Sequence, residues 1–146
     1  METLRARLKE LFSLLSLGRL DVPDGLLDRQ AAYALNGQAY EVLLGRSADD
    51  PLVRLIARGP AGYRFAAQAL IRALGKPTLV IERWEDAQAV IEVAGRLSGT
   101  LRGSSETIDC PVTLHLTTTP SAGIATAAVT IDPRVLARID QARALS

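Results

Sequence analysis

The chain of 146 residues has one cysteine, one histidine, two lysines and aromatic residues at only 4%. A lone Cys110 closes no intramolecular disulfide, and Cys110 with His115 falls short of the four ligands of a structural zinc site, so a reducing compartment, by default the cytoplasm, is the expected setting. No stretch approaches the ~20 apolar residues of a membrane span. The N-terminus carries Glu2, Arg5, Arg7, Lys9 and Glu10 ahead of the apolar run Leu11 to Leu17, which is not the pattern of a secretory signal. Neither a phosphate-loop lysine motif nor a dinucleotide fingerprint occurs, and the acidic groups Asp21/Asp24/Asp28, Asp49/Asp50 and Glu82/Glu85/Asp86 lack calcium-loop spacing, so no metal and no cofactor is assigned. The net charge of +1 steers nothing by itself.

What is present belongs to a globule. Nearly half the residues, 48%, are apolar, and 23% are charged with both signs mixed, enough for one domain over residues 1–146 with a core of its own. The clearest signal runs from Val112 to Ile131. Val112, Leu114 and Leu116 alternate with Thr113, His115 and Thr117, and Ala125, Ala127, Val129 and Ile131 alternate with Ile124, Thr126, Ala128 and Thr130, the period of half-buried strands. With Thr119 to Ala122 as the loop, Leu116 faces Ala125, Leu114 faces Ala127 and Val112 faces Val129, and every apolar partner lies on one side. Asp132-Pro133 then opens a last helix through Val135, Leu136, Ile139 and Ala142.

Upstream, Leu4, Leu8, Leu11 and Leu15, with Phe12 beside them, form the apolar stripe of an amphipathic helix within residues 1–18, closed near Gly18. The stripe suits a helix laid on the domain's own core or a self-association element; a membrane-surface role is disfavoured by Glu2 and Glu10. Asp24 to Asn36 reads as a helix, with a rival in which Asn36-Gly37 turns a hairpin and sets Tyr33 against Tyr40. Strands are expected over Ala39 to Leu44, Leu52 to Arg58 and Thr78 to Arg83, with Gly45 to Pro51 as a loop and Trp84-Glu85-Asp86 as a turn. Tyr63 to Leu74 has helical spacing, and Ile91 to Arg102 alternates as a strand while also fitting a helix template. Together these give an α+β domain, an antiparallel sheet with helices packed on one face.

No catalytic set stands out. His115 is expected on the outward side of its strand opposite Thr126, and five residues separate it from Cys110, on opposite faces of one strand, so neither forms a dyad with the other. The charge is uneven in one place: Arg54, Arg58, Arg64, Arg72 and Lys76 fall between Pro51 and Val80 without an acid. If a strand ends at Arg58 and a helix begins near Ala61, Gly59 to Gly62 offers backbone N–H groups to an anion, with Tyr63 or Phe65 able to stack on a base. Solvent-facing arginines around a tight turn explain the same residues. The stretch Ala127 to Asp140 looks like the strand and first helix of ribbon-helix-helix DNA-binding proteins; it covers about a tenth of the chain and implies no site residue.

Three functions follow as expectations. The first is a non-catalytic binding or assembly module, self-associating through Leu4, Leu8, Leu11, Phe12 and Leu15. The second is binding of nucleic acid or another phosphate-containing partner through Arg54, Arg58, Gly59, Gly62, Arg64, Arg72 and Lys76. The third is a small-ligand-binding or enzymatic α+β domain with its pocket between sheet and helices.

Overall fold

The leucine stripe becomes helix α1, Leu4–Ser16. Thr3 caps its start by accepting from the Ala6 N–H at 3.1 Å, and Gly18, at φ 75°, ends it while Arg19 N–H returns to the Leu14 carbonyl, the left-handed closure that favours glycine. The computed structural model describes residues 3–44, 51–88, 90–121 and 123–145, without the side chains of 53, 54 and 143–145. After α1 come strands β1 (Leu27–Leu35) and β2 (Gln38–Ala39), helices α2 (Tyr40–Leu43), α3 (Pro51–Ala57) and α4 (Gly59–Ala73), strands β3 (Leu74–Ala87), β4 (Val90–Leu101), β5 (Thr107–Thr118) and β6 (Ile124–Ile131), and helix α5 (Pro133–Leu145).

The six strands form one sheet in the order β2-β1-β6-β5-β4-β3. All neighbours are antiparallel except β1 and β6. Residues paired across strands share a face, so the register defines rows. One inward row runs Tyr33, Ala127, Leu116, Ile91, Asp86, and the next runs Leu35, Val129, Leu114, Val93, Trp84. The helices cover this face. Leu8 and Leu11 pack with Ile91, Val93 and Leu116 at one end, and Leu97, Cys110 and Val112 pack with Ala73 of α4 and Ile139 and Ala142 of α5 at the other. The architecture is the expected one, a mostly antiparallel sheet with helices on one side.

Several elements differ from the sequence reading, each for a physical reason. Asp24 to Asn36 is not a helix: β1 pairs along β6, with Ile124 N–H bonding the Leu26 carbonyl and Asn36 N–H the Val129 carbonyl, and an available strand edge outweighs the helix preference of Leu-Asp-Arg-Gln-Ala. The Asn36-Gly37 turn is right, with φ 50° and 83° as a type I′ turn requires, but its ladder is two pairs long, Ala34 with Ala39 and Leu35 with Gln38. Tyr40 already belongs to α2, so Ala39 to Leu44 is not a strand. Leu52 to Arg58 is helix α3 to Ala57 rather than a strand; Leu52, Val53, Leu55 and Ile56 are also spaced one, two and one apart, which a helix accommodates, and Pro51 is preset for its first turn. The Gly45 to Asp50 part of the expected loop lies outside the described residues.

Trp84-Glu85-Asp86 does not turn; β3 runs on to Ala87, and the turn comes at Gln88, φ 56°. Charged residues there suit β3 because it is an edge strand. Ile91 onward is a strand, as its alternation indicates. The β5/β6 hairpin forms with its apolar residues on one face but shifted by two: Leu116 pairs Ala127, Leu114 pairs Val129 and Val112 pairs Ile131. The register slips at Thr117/Thr118, where Thr118 pairs Ile124, and along the rest of the hairpin the even shift preserves facing, which is why period alone does not fix register. Ala127 to Asp140 falls on β6 and α5, with β6 paired on both edges inside the sheet, not on a free DNA-reading ribbon. Asp132 caps α5 through the Arg134 N–H at 2.8 Å.

Candidate ligand-binding site

The inward face carries two places with chemistry. At its β1 end, Tyr33 points from the sheet toward the first turn of α4, where its hydroxyl donates to the Gly59 carbonyl at 2.6 Å. Small residues make this approach possible. A Cβ on Gly62 would lie 2.9 Å from Tyr33 Cε2 and 2.5 Å from the Ala57 carbonyl carbon, and Gly59 sits at φ 65° against the Arg29 backbone. Tyr63 enters from α4 and packs on the apolar cluster around Leu26, Leu116 and Ile124. Its hydroxyl is buried and has no hydrogen-bond partner among the described residues. Burial pushes the Tyr63 phenol up to about 12; burial first, then the neighbouring Tyr63, drives Tyr33 higher still. Both phenols are therefore neutral donors at any physiological pH.

About 19 Å away across four inter-strand spacings, the same face opens to solvent. There a groove of about 480 Å³ lies between the first turn of α1 and the ends of β3, β4 and β5, lined by the apolar Trp84, Ile91 and Leu4 and by the charged Arg5 and Asp86. A broader, open depression of about 670 Å³ occupies the sheet near Ser98, Thr107 and Asp109 and includes Lys76; Asp109 there is held by Arg96 at 2.8 Å.

The basic residues singled out in the sequence occupy separate settings. Arg58 Nε binds Glu41 at 3.1 Å, and Glu41 is only 4% exposed, so this arginine neutralises a buried carboxylate. Arg64 donates to the Leu20 carbonyl at 3.4 Å. Arg72 lies exposed in the last turn of α4 and Lys76 in β3 at φ 52°. Arg54 is in α3, its side chain outside the described residues. Gly59 and Gly62 are buried in α4's first turn against β1 and Ala57, and the Gly62 N–H bonds the Arg58 carbonyl at 3.0 Å. Phe65 faces outward beside Tyr40, ring centroids 6.4 Å apart, while Tyr63 faces in. His115 is exposed on the outer side opposite Ala128 and Glu92, not Thr126, which pairs Thr117. Leu8, Leu11 and Leu15 are buried in the chain's own core, with Leu4 and Phe12 packed on it. Tyr33, Trp84 and Asp86 escaped the sequence reading; the alternation of Ala31, Tyr33 and Leu35 was the available signal for the first.

The sequence matches no family model and no curated protein. Solved structures resemble it closely in shape. A protein from Jannaschia sp. CCS1 assigned as a SnoaL-like polyketide cyclase superposes with TM-score 0.68 at 14% identity, covering 92% of this chain and 88% of its own. An NTF2-like protein from Burkholderia thailandensis E264 gives 0.65 at 17% identity over 97% and 99%, and a SnoaL-like polyketide cyclase from Agrobacterium tumefaciens str. C58 gives 0.65 at 12% over 94% and 98%. At these identities the likeness establishes the fold: this chain folds as NTF2-like and SnoaL-like proteins do.

Proposed function

We propose that this protein binds a small, largely apolar molecule on the inward face of its sheet, with the Tyr63 hydroxyl donating to a carbonyl or similar acceptor on it. The observation that carries the reading is the buried Tyr63 hydroxyl without a partner among the described residues, since buried donors are ordinarily satisfied and an orphan calls for an acceptor supplied from outside. Apolar walls with few placed polar groups are the ordinary composition of such sites, and the SnoaL-like cyclases that share the fold are proteins named for acting on small molecules. A neutral phenol in an apolar setting is a stronger donor to a carbonyl than water is, because little solvent competes. His115, on the outer face, has no access to a ligand held there.

The test is a matched pair of probes. Acetophenone and ethylbenzene share the ring and the terminal methyl and differ in the carbonyl acceptor, so calorimetric titration should show the ketone binding about tenfold tighter to the parent protein and losing that advantage in Tyr63→Phe. Equal binding of the two probes by the parent protein contradicts the proposal.

A further inference from the structure

We propose that the groove at the Trp84 end is a second binding site, specific for a small zwitterion with an apolar body. It goes beyond the Tyr63 site: Trp84 and Asp86 stand on β3, at the opposite edge region of the sheet from Tyr33 on β1, and the groove opens to solvent on the far side of the apolar cluster that the two sites share. Three observations place it. The register turns Trp84 and Asp86 inward together, opposite Val93 and Ile91, so the indole and the carboxylate share one wall over a floor made by Ile91, which is 5% exposed. Across the groove, α1 brings Arg5 in its first turn. The groove thus holds one charge of each sign, and neither is spent: among the described residues Arg5 and Asp86 form no ion pair with each other or with anything else.

Two of the four neutral polar side chains around them, Thr3 and Thr119, are committed within the chain, while Gln88 and Thr118 border the groove as neutral hydrogen-bonding groups. Thr3 caps α1, and the Thr119 hydroxyl bonds Ser121 and the Gly123 N–H. Arg5 and Asp86 are the charged groups available to recognise a ligand, the guanidinium taking a carboxylate and the carboxylate an ammonium, with the indole face and Ile91 receiving the methylenes or ring between them. A volume of about 480 Å³ is that of a single small molecule. A simple anion would meet Asp86 and a simple cation would meet Arg5, so each is penalised relative to a molecule carrying both charges.

Trp84 is the chain's only tryptophan and lines the groove, so its fluorescence reports binding there. Titration with ω-amino carboxylic acids of four, six and eight carbons, against the alkylamines and carboxylic acids of the same lengths, is the experiment. The best amino acid should bind at least about tenfold tighter than its matched amine or acid. Asp86→Asn should lower it to the level of the acid and Arg5→Gln to the level of the amine, while Tyr63→Phe should leave the preference untouched. Both charged residues are exposed, so the variants keep the fold, which circular dichroism verifies. No fluorescence response to any probe, equal affinities across each matched set, or a preference that survives both charge removals would overturn the proposal.

Discussion

Tyr63 and Phe65 stand two positions apart in α4 and meet opposite surroundings, because two residues turn a helix through about 200°. Their closeness to Arg64 in the sequence made them a stacking pair on paper; the helix sends one to the core and the other to the surface. Gly59 shows the same limit from the other side. It reads as part of a tight turn offering N–H groups to an anion, whereas its φ of 65° and the Arg29 carbonyl against it make it a packing position. Gly59→Ala should cost roughly 2 kcal/mol or more, measured by urea unfolding, and should also disturb the Tyr33 hydrogen bond to that residue. Cys110 was legible as a buried small side chain, and it is one, at 5% exposure. Burial raises its thiol above the ordinary value, so a disulfide reagent should label the native protein far more slowly than the urea-unfolded chain. Equal rates would place the thiol at the surface.

At the scale of elements, what could be read was whatever carried its own local code. The leucines of α1, the alternation of β5 and β6 and the Asp132-Pro133 start of α5 each state their structure within a dozen residues, whereas the alternation of β4 also fitted a helix. Asp132→Ala should therefore destabilise by about 1 kcal/mol, the usual cost of a lost helix cap, seen as a fall in melting temperature of about 3 °C for a chain of this size. What could not be read was decided from far away. β1 is a strand because β6, nearly a hundred residues later, supplies its edge, and the Asn36 side chain seals that join by accepting from the Ile131 N–H at 2.9 Å. The α1 stripe shows why apolar periodicity underdetermines function. Leu8, Leu11 and Leu15 are consumed inside the chain, so self-association through them would require α1 to leave the core and expose three leucines.

For the whole molecule, a ligand pocket between sheet and helices was among the expectations and suits the NTF2-like and SnoaL-like fold better than a non-catalytic assembly role does, but the residues proposed to line it could not be named because they come from β1, β3, β6, α1 and α4. Residues so dispersed share no spacing that a sequence scan can detect. The basic stretch between Pro51 and Val80 looked more promising only because its members are neighbours along the chain. Burial of two phenols also gives the molecule a pH signature. In the unfolded chain tyrosines ionise near 10, while folding holds Tyr63 at about 12 and Tyr33 above it. The folded state therefore keeps protons that the unfolded state has lost, and the associated stability, complete below pH 10, falls as the pH rises from 10 to 12. The urea midpoint should decline through that window, and less steeply in Tyr63→Phe than in the parent.

The claim that the inward face is a ligand site rests most heavily on one hydroxyl, so the most direct measurement is thermal unfolding of Tyr63→Phe with and without acetophenone. Removing a buried donor that has no partner among the described residues should leave the ligand-free melting temperature unchanged or raise it by up to about 3 °C, while abolishing the extra stabilisation that the ketone gives the parent over ethylbenzene. A ligand-free variant that melts lower than the parent, and still discriminates the two probes, would show that the hydroxyl serves the fold and would contradict the account.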